Sequence, residues 1–139
     1  MRFHNSIDVA APAERVFAVY ADVERWPDWT ASTTEVRLLD PGPLAVGSRA
    51  RVRQPRLPVA TWVVTELVPG RSFTWVAQGP GLRTTGSHEV MPRDDGGCTV
   101  TATLDQEGLL GGVIGRLTKR RTVSYLAMEV NGLKRHCER

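Results

Sequence analysis

His88, Arg121 and Tyr125 are the side chains whose types and spacing could do chemistry in this chain. An imidazole on the inner face of a strand could act as a general base, since its ordinary pKa lies near ~6.5. Tyr125 falls one helical turn after Arg121, and Met128 nearly one turn further on, so the three could edge one side of a cavity. There the Arg121 guanidinium could hold a ligand carboxylate. The simpler reading of His88 is a hydrogen-bonded core histidine, and that of Arg121 is a rim cation in water. No Ser–His–Asp order, metal-ligand cluster, phosphate loop or dinucleotide motif accompanies them. No catalytic residue is therefore assigned, and no metal or cofactor is expected.

These side chains need elements to position them. The stretch from Gly108 to Arg139 is the one segment long enough for an extended helix with a single apolar seam. Val123, Leu126, Val130, Leu133 and Cys137 recur at helical steps, and Leu110, Val113, Ile114 and Leu117 extend the stripe backwards. Gly108, Gly111, Gly112 and Gly115 loosen its start, where a pocket mouth could open.

Most of the preceding chain alternates as strands. Phe3–Val9 reads as the first. Pro12 and Glu14 open a short helix, and Asp22 can cap a second one that Pro27 ends at Trp26. Trp26 and Trp29 are expected to pack at one end of the sheet. Six further strands are read at 33–39, 48–54, 60–68, 71–78, 83–91 and 98–106, separated by Pro/Gly turns. Arg49, Arg51 and Arg53 share one face of the third strand, which must be the wet one, leaving Val52 inside. On the fourth strand, Glu66 most simply faces out, which would place Thr61, Val63 and Thr65 inside and Trp62 outside. On the fifth, Phe73, Trp75 and Ala77 face inwards. His88 shares a face with Thr84, Gly86 and Val90. The expected fold class is α+β, a helix-grip arrangement. It has a seven-stranded antiparallel sheet curved around a long C-terminal helix, with two short helices between strands one and two. A pocket between sheet and helix would be lined by Val52, Val63, Phe73, Trp75, His88, Leu117, Arg121, Tyr125 and Met128.

The chain has 139 residues, 41% hydrophobic and 24% charged, ordinary for one globular domain spanning 1–139. Its net charge is +3. Arg116 to Arg139 carries seven Lys or Arg against Glu129 and Glu138, a local excess of +5. A basic helix exterior could meet nucleic acid or an anionic membrane, but no groove-reading motif or aromatic interleaving accompanies the excess, so it reads as a solvated helix face and no nucleic-acid partner is expected. Cys98 and Cys137 read as buried thiols. No signal peptide and no membrane-length apolar run is visible, so stable membrane insertion is not expected and a cytoplasmic monomer or homodimer is.

Several stretches resemble a known family. Ala11-Pro12-Ala13-Glu14-Arg15-Val16-Phe17 and Asp22-Val23-Glu24-Arg25-Trp26-Pro27-Asp28-Trp29 resemble the opening of the polyketide cyclase/dehydrase group. That group belongs to the START-like, birch-pollen-allergen-like (SRPBCC) superfamily. Trp62 through Trp75 is similar to its central hairpin, and Gly86 to Pro92 with Gly96 to Thr101 to its last one. The resemblance implies a helix-grip fold with a deep, largely apolar cavity for lipids, sterols or aromatic polyketides. It implies a small hydrophobic partner, bound by a carrier or sensor, or acted on by a cyclase/dehydratase-type enzyme. Aromatase/cyclase members use arginine and tyrosine inside the cavity. Here strand four carries no arginine, and those of strand three point outward.

Overall fold

A computed structural model describes residues 1–139. One seven-stranded sheet runs in the order β1-β7-β6-β5-β4-β3-β2. Its strands are β1 (Arg2–Val9), β2 (Glu35–Leu38), β3 (Arg49–Arg53), β4 (Ala60–Val68), β5 (Ser72–Gly79), β6 (Leu82–Pro92) and β7 (Cys98–Glu107). Every neighbouring pair is antiparallel. β1 and β2 are the two edges, so the chain must cross the sheet between them. It does so through α1 (Ala13–Ala21) and a 3-10 helix over Val23–Asp28. The remaining helices are α2 (Gly111–Leu117) and α3 (Lys119–Cys137). α3 packs against β1, β7 and α1. No helix is long and apolar enough to cross a membrane.

The strand alternation holds wherever one face is plainly polar. Arg49, Arg51 and Arg53 are exposed, while Ala50 and Val52 are buried. Phe73 and Trp75 on β5, and His88 and Val90 on β6, are buried on the inner face. Cys98 and Cys137 are both buried free thiols.

β4 reverses the expected orientation. Trp62 and Val64 point inwards, and Val63 lies on the outer face with 37% exposure. The cause is a β-bulge. Val64 pairs with Trp75, but Glu66 pairs with Thr74, so Thr65 is an extra residue. A bulge resets the two-residue period, letting Glu66 stay outside while Trp62 and Val64 before it face in.

The C-terminal seam also departs from its apolar pattern. The helix breaks at Thr118, whose hydroxyl donates to the Ile114 carbonyl at 2.7 Å. Beyond the break α3 buries Thr122, Leu126, Glu129, Val130, Gly132, Leu133 and Cys137. Val113, Leu117 and Val123 are exposed, Leu117 at 80%. Two polar residues thus occupy the inward stripe in place of the expected aliphatics. Pro27 sits within the 3-10 helix rather than ending a helix at Trp26, and Asp22 makes no side-chain cap. The Trp26 carbonyl accepts from the Trp29 and Thr30 amides at 3.1 and 3.0 Å, which closes that turn.

A candidate ligand cavity with a buried carboxyl

A cavity of about 520 Å³ lies between the sheet and α3. That volume is ordinary for a small-molecule site. Its walls combine three tryptophans (Trp26, Trp62, Trp75) with Val52, Ala102 and Leu126. Pro58, Val59, Gln78 and Gly79 line it and are exposed, so the cavity opens there. Trp26, His88 and Glu129 line it, are buried, and all meet the fully buried Tyr20, so they form its closed end.

The closed end is polar and is assembled from three distant segments. α1 supplies Tyr20, fully buried, whose hydroxyl donates to Glu129 Oε2 on α3. β6 supplies His88. The Tyr20 and His88 rings meet edge to face at 5.1 Å, and Trp26 and Trp75 each stand 5.4 Å from the imidazole. Phe73 stacks on the imidazole at 4.1 Å. The Trp26 indole N–H donates to the Tyr20 carbonyl at 2.8 Å, fixing the aromatic group to the backbone of α1.

His88 has a defined tautomer. Its Nδ1 lies 3.1 Å from the Phe73 carbonyl, which can only accept. Nδ1 therefore carries the proton, and Nε2 is left as a bare acceptor. Burial pushes the imidazole pKa down from 6.5 to about 3, outweighing the opposing pull of the Phe73 carbonyl. The ring is neutral at any physiological pH.

Glu129 is displaced in the opposite sense. Burial raises its pKa from 4.5 to about 7, with the Tyr20 hydrogen bond holding it down in part. Tyr20 is itself held well above its ordinary value, first by burial and then by the Glu129 charge. No cation is paired with Glu129. Near neutral pH this carboxyl is poised between its two forms and can hold or release a proton. Gln106 also lines the wall, and its buried Oε1 has no hydrogen-bond partner.

Of the residues named from the sequence, Val52, Trp75, His88, Arg121 and Tyr125 sit on the cavity wall. Val63 is outside because of the β4 bulge. Leu117 is outside because α2 turns Gly111 and Gly115 to the protein, and Met128 because the inward stripe of α3 runs through Leu126 and Glu129. Phe73 is fully buried against His88 and is not a wall residue. Tyr125 donates to the Pro55 carbonyl, tying α3 to the loop that leads to the opening. Sequence reasoning missed Glu129, Gln106, Trp62 and the partnership with Tyr20. Glu129 did leave a signal: it lies three residues after Leu126 and four before Leu133, a charged residue inside an apolar stripe.

Comparison with known proteins agrees with this architecture. A hypothetical protein of Helicobacter pylori superposes with a TM-score of 0.85 at 11% identity, over 99% of this chain and 88% of that one. An aromatase/cyclase of Streptomyces superposes with a TM-score of 0.72 at 19% identity, over 97% and 94%. A norcoclaurine synthase of Thalictrum does so with a TM-score of 0.76 at 13% identity, over 99% and 93%. At such identities the likeness concerns the fold. An uncharacterized protein of Mycobacterium tuberculosis is 37% identical over 46 residues, which is 33% of this chain and 28% of that protein. The chain thus matches under a third of the mycobacterial relative's length. The sequence profile described as polyketide cyclase / dehydrase and lipid transport matches residues 1–138, and the chain belongs to that family.

Proposed function

We propose that the protein binds a small, mainly apolar molecule in this cavity, with a hydroxyl, phenol or amine of the ligand directed to its closed end. One observation carries the reading. An otherwise aromatic and aliphatic hollow ends in His88 Nε2, a bare acceptor, beside a carboxyl that has no ionic partner. An acceptor that a bound ligand covers without offering a donor costs roughly 1–3 kcal/mol, so a ligand supplying one is selected over an isostere that does not. The family description, with its lipids and polyketides, supports an apolar body for that ligand.

A second reading, a cyclase/dehydratase-type enzyme, draws on Glu129. A carboxyl with a pKa of about 7 can serve as a proton donor or acceptor in a dry site. The fold also carries enzymes, among them the aromatase/cyclase and the norcoclaurine synthase.

Trp26, Trp62 and Trp75 line the cavity, so occupancy reports itself as a change in tryptophan emission. Titration with 2-naphthol and with its methyl ether tests the reading. The phenol is expected to bind about tenfold more tightly, the worth of one hydrogen bond. His88→Phe keeps the stacked shape and is expected to abolish that preference. Equal affinity for the two probes in the wild type, or no quenching by either, would refute it. Glu129→Gln that retains affinity while conversion of a bound ligand stops would favour the enzyme.

A further inference from the structure

The segment after β7 presents an unusual surface. Leu109 is 95% exposed, Leu117 80%, Val113 56% and Leu110 46%. Leu110, Val113 and Leu117 are spaced at i, i+3 and i+7, so they form one outward stripe. The fold holds them there. Gly111 and Gly115 are the buried side of α2. A Cβ on Gly111 would fall 2.7 Å from the Gln106 carbonyl oxygen, and one on Gly115 2.8 Å from the Met1 side chain. The helix therefore packs by its glycines and turns its large apolar side chains to the outside.

Charge accompanies the stripe. From Gly108 to Met128 there are four cations (Arg116, Lys119, Arg120, Arg121) and no Asp or Glu. Arg116, Lys119 and Arg120 are exposed, and none is in an ion pair. Unpaired arginines also occur on the sheet, as Arg51 and Arg53 do; this stretch is set apart because its cations flank a stripe of exposed leucines.

We infer that this face docks on an anionic lipid bilayer. Exposed leucines flanked by unpaired cations are the chemistry of an interfacial helix, whose apolar side enters the headgroup boundary while its cations meet anionic lipids. The location gives the docking a use. The Leu110 amide donates to the Gly81 carbonyl at 2.8 Å, which fixes α2 to the β5–β6 turn. Gly79, the last residue of β5 before that turn, lines the open end of the cavity, and Ile114 and Thr118 line the cavity as well. A bilayer against this face lies beside the opening, where an apolar ligand would leave or enter lipid. That use rests on the ligand reading above, but the docking does not. Two copies of this chain placed face to face would oppose like charges. A nucleic acid would meet the cations but leave the leucines without a partner.

Flotation of the full chain with lipid vesicles tests the inference. Binding is expected to vesicles of phosphatidylcholine with about 30% phosphatidylglycerol, weakening as salt rises, and not to phosphatidylcholine alone. Each cation near such a surface contributes about fivefold, so Arg116→Gln/Lys119→Gln/Arg120→Gln should lower affinity about 100-fold. Leu109→Ser/Leu117→Ser should lower it roughly tenfold or more. None of these side chains lines the cavity or belongs to the buried core, so an unchanged tryptophan emission spectrum and thermal midpoint in the same variants report that the fold is intact. Leu109→Ser alone, at the most exposed position, serves if a multiple variant does not fold. No flotation with the anionic vesicles, equal flotation with neutral ones, or variants that bind like the wild type would overturn the inference. So would a leucine-dependent dimer that ignores vesicles. Vesicle binding by a protein whose cavity takes no probe would refute the ligand reading and leave this one standing.

Discussion

Glu129 and His88 are buried at the same end of the cavity and are pushed in opposite directions along the pH scale. Both shifts favour the neutral form, because burial penalises charge of either sign. Their consequences for stability have opposite signs. Between 4.5 and about 7 the folded chain keeps a proton on Glu129 that the unfolded chain releases. Stability from this group is full below 4.5 and is lost as pH rises to about 7, a total of about 3 kcal/mol. His88 works the other way. The unfolded chain takes up a proton below 6.5 that the folded chain refuses until about 3, so stability is lost on acidification through that window. Between 4.5 and 6.5 the two slopes cancel. Wild-type stability from denaturant unfolding should therefore agree within about 1 kcal/mol near pH 5 and near pH 8, as far as this pair is concerned. Glu129→Gln removes one slope. That variant should be about 2 kcal/mol less stable near pH 5 than near pH 8. An unchanged profile in the variant would mean that Glu129 is not the buried titrating group.

At the scale of elements, glycines decide how closely the helices approach. Gly132 lies on the buried face of α3, where an added Cβ would fall inside the van der Waals radius of the Trp29 carbonyl oxygen. A Gly-to-Ala change in a helix normally stabilises by ~1 kcal/mol. Here overpacking wins, because the obstacle is backbone, held in the turn that follows Trp26. Gly132→Ala should destabilise by about 3 kcal/mol, read as a lower thermal midpoint. Gly112 is the contrasting case: it lies in α2 with nothing within 4 Å of its added Cβ. Gly112→Ala should raise the midpoint, by up to ~1 kcal/mol of stability. A rise for Gly132→Ala would contradict the packing of α3 on the Trp26–Trp29 turn.

At the scale of the whole molecule, the sheet was legible because its strands alternate cleanly between short Pro/Gly turns. The arginine row of β3 even oriented the sheet, since three guanidinium groups on one face must be hydrated. His88 could be put on the inner face because it alternates with Glu89 and shares its face of β6 with Val90. The face of Trp62 could not, because a bulge at Thr65 changes the phase within β4 and both of its sides are partly apolar. The inward stripe of α3 was misread where burial is polar. Hydropathy cannot anticipate Thr122 and Glu129 inside, because Glu129 is admitted by a partner, Tyr20, 109 residues away. The cavity's polar end is thus a property of the assembled molecule, written in no single stretch.

The central claim is that this hollow holds an apolar molecule anchored at its closed end. Native mass spectrometry of freshly purified protein, before and after incubation with 2-naphthol, tests it most directly. The account predicts a species heavier than the 15.3 kDa chain by one small molecule. It should be lost in Thr84→Trp, which narrows the cavity from its β6 wall. A bare chain mass in both preparations, or an adduct that Thr84→Trp leaves untouched, would contradict it.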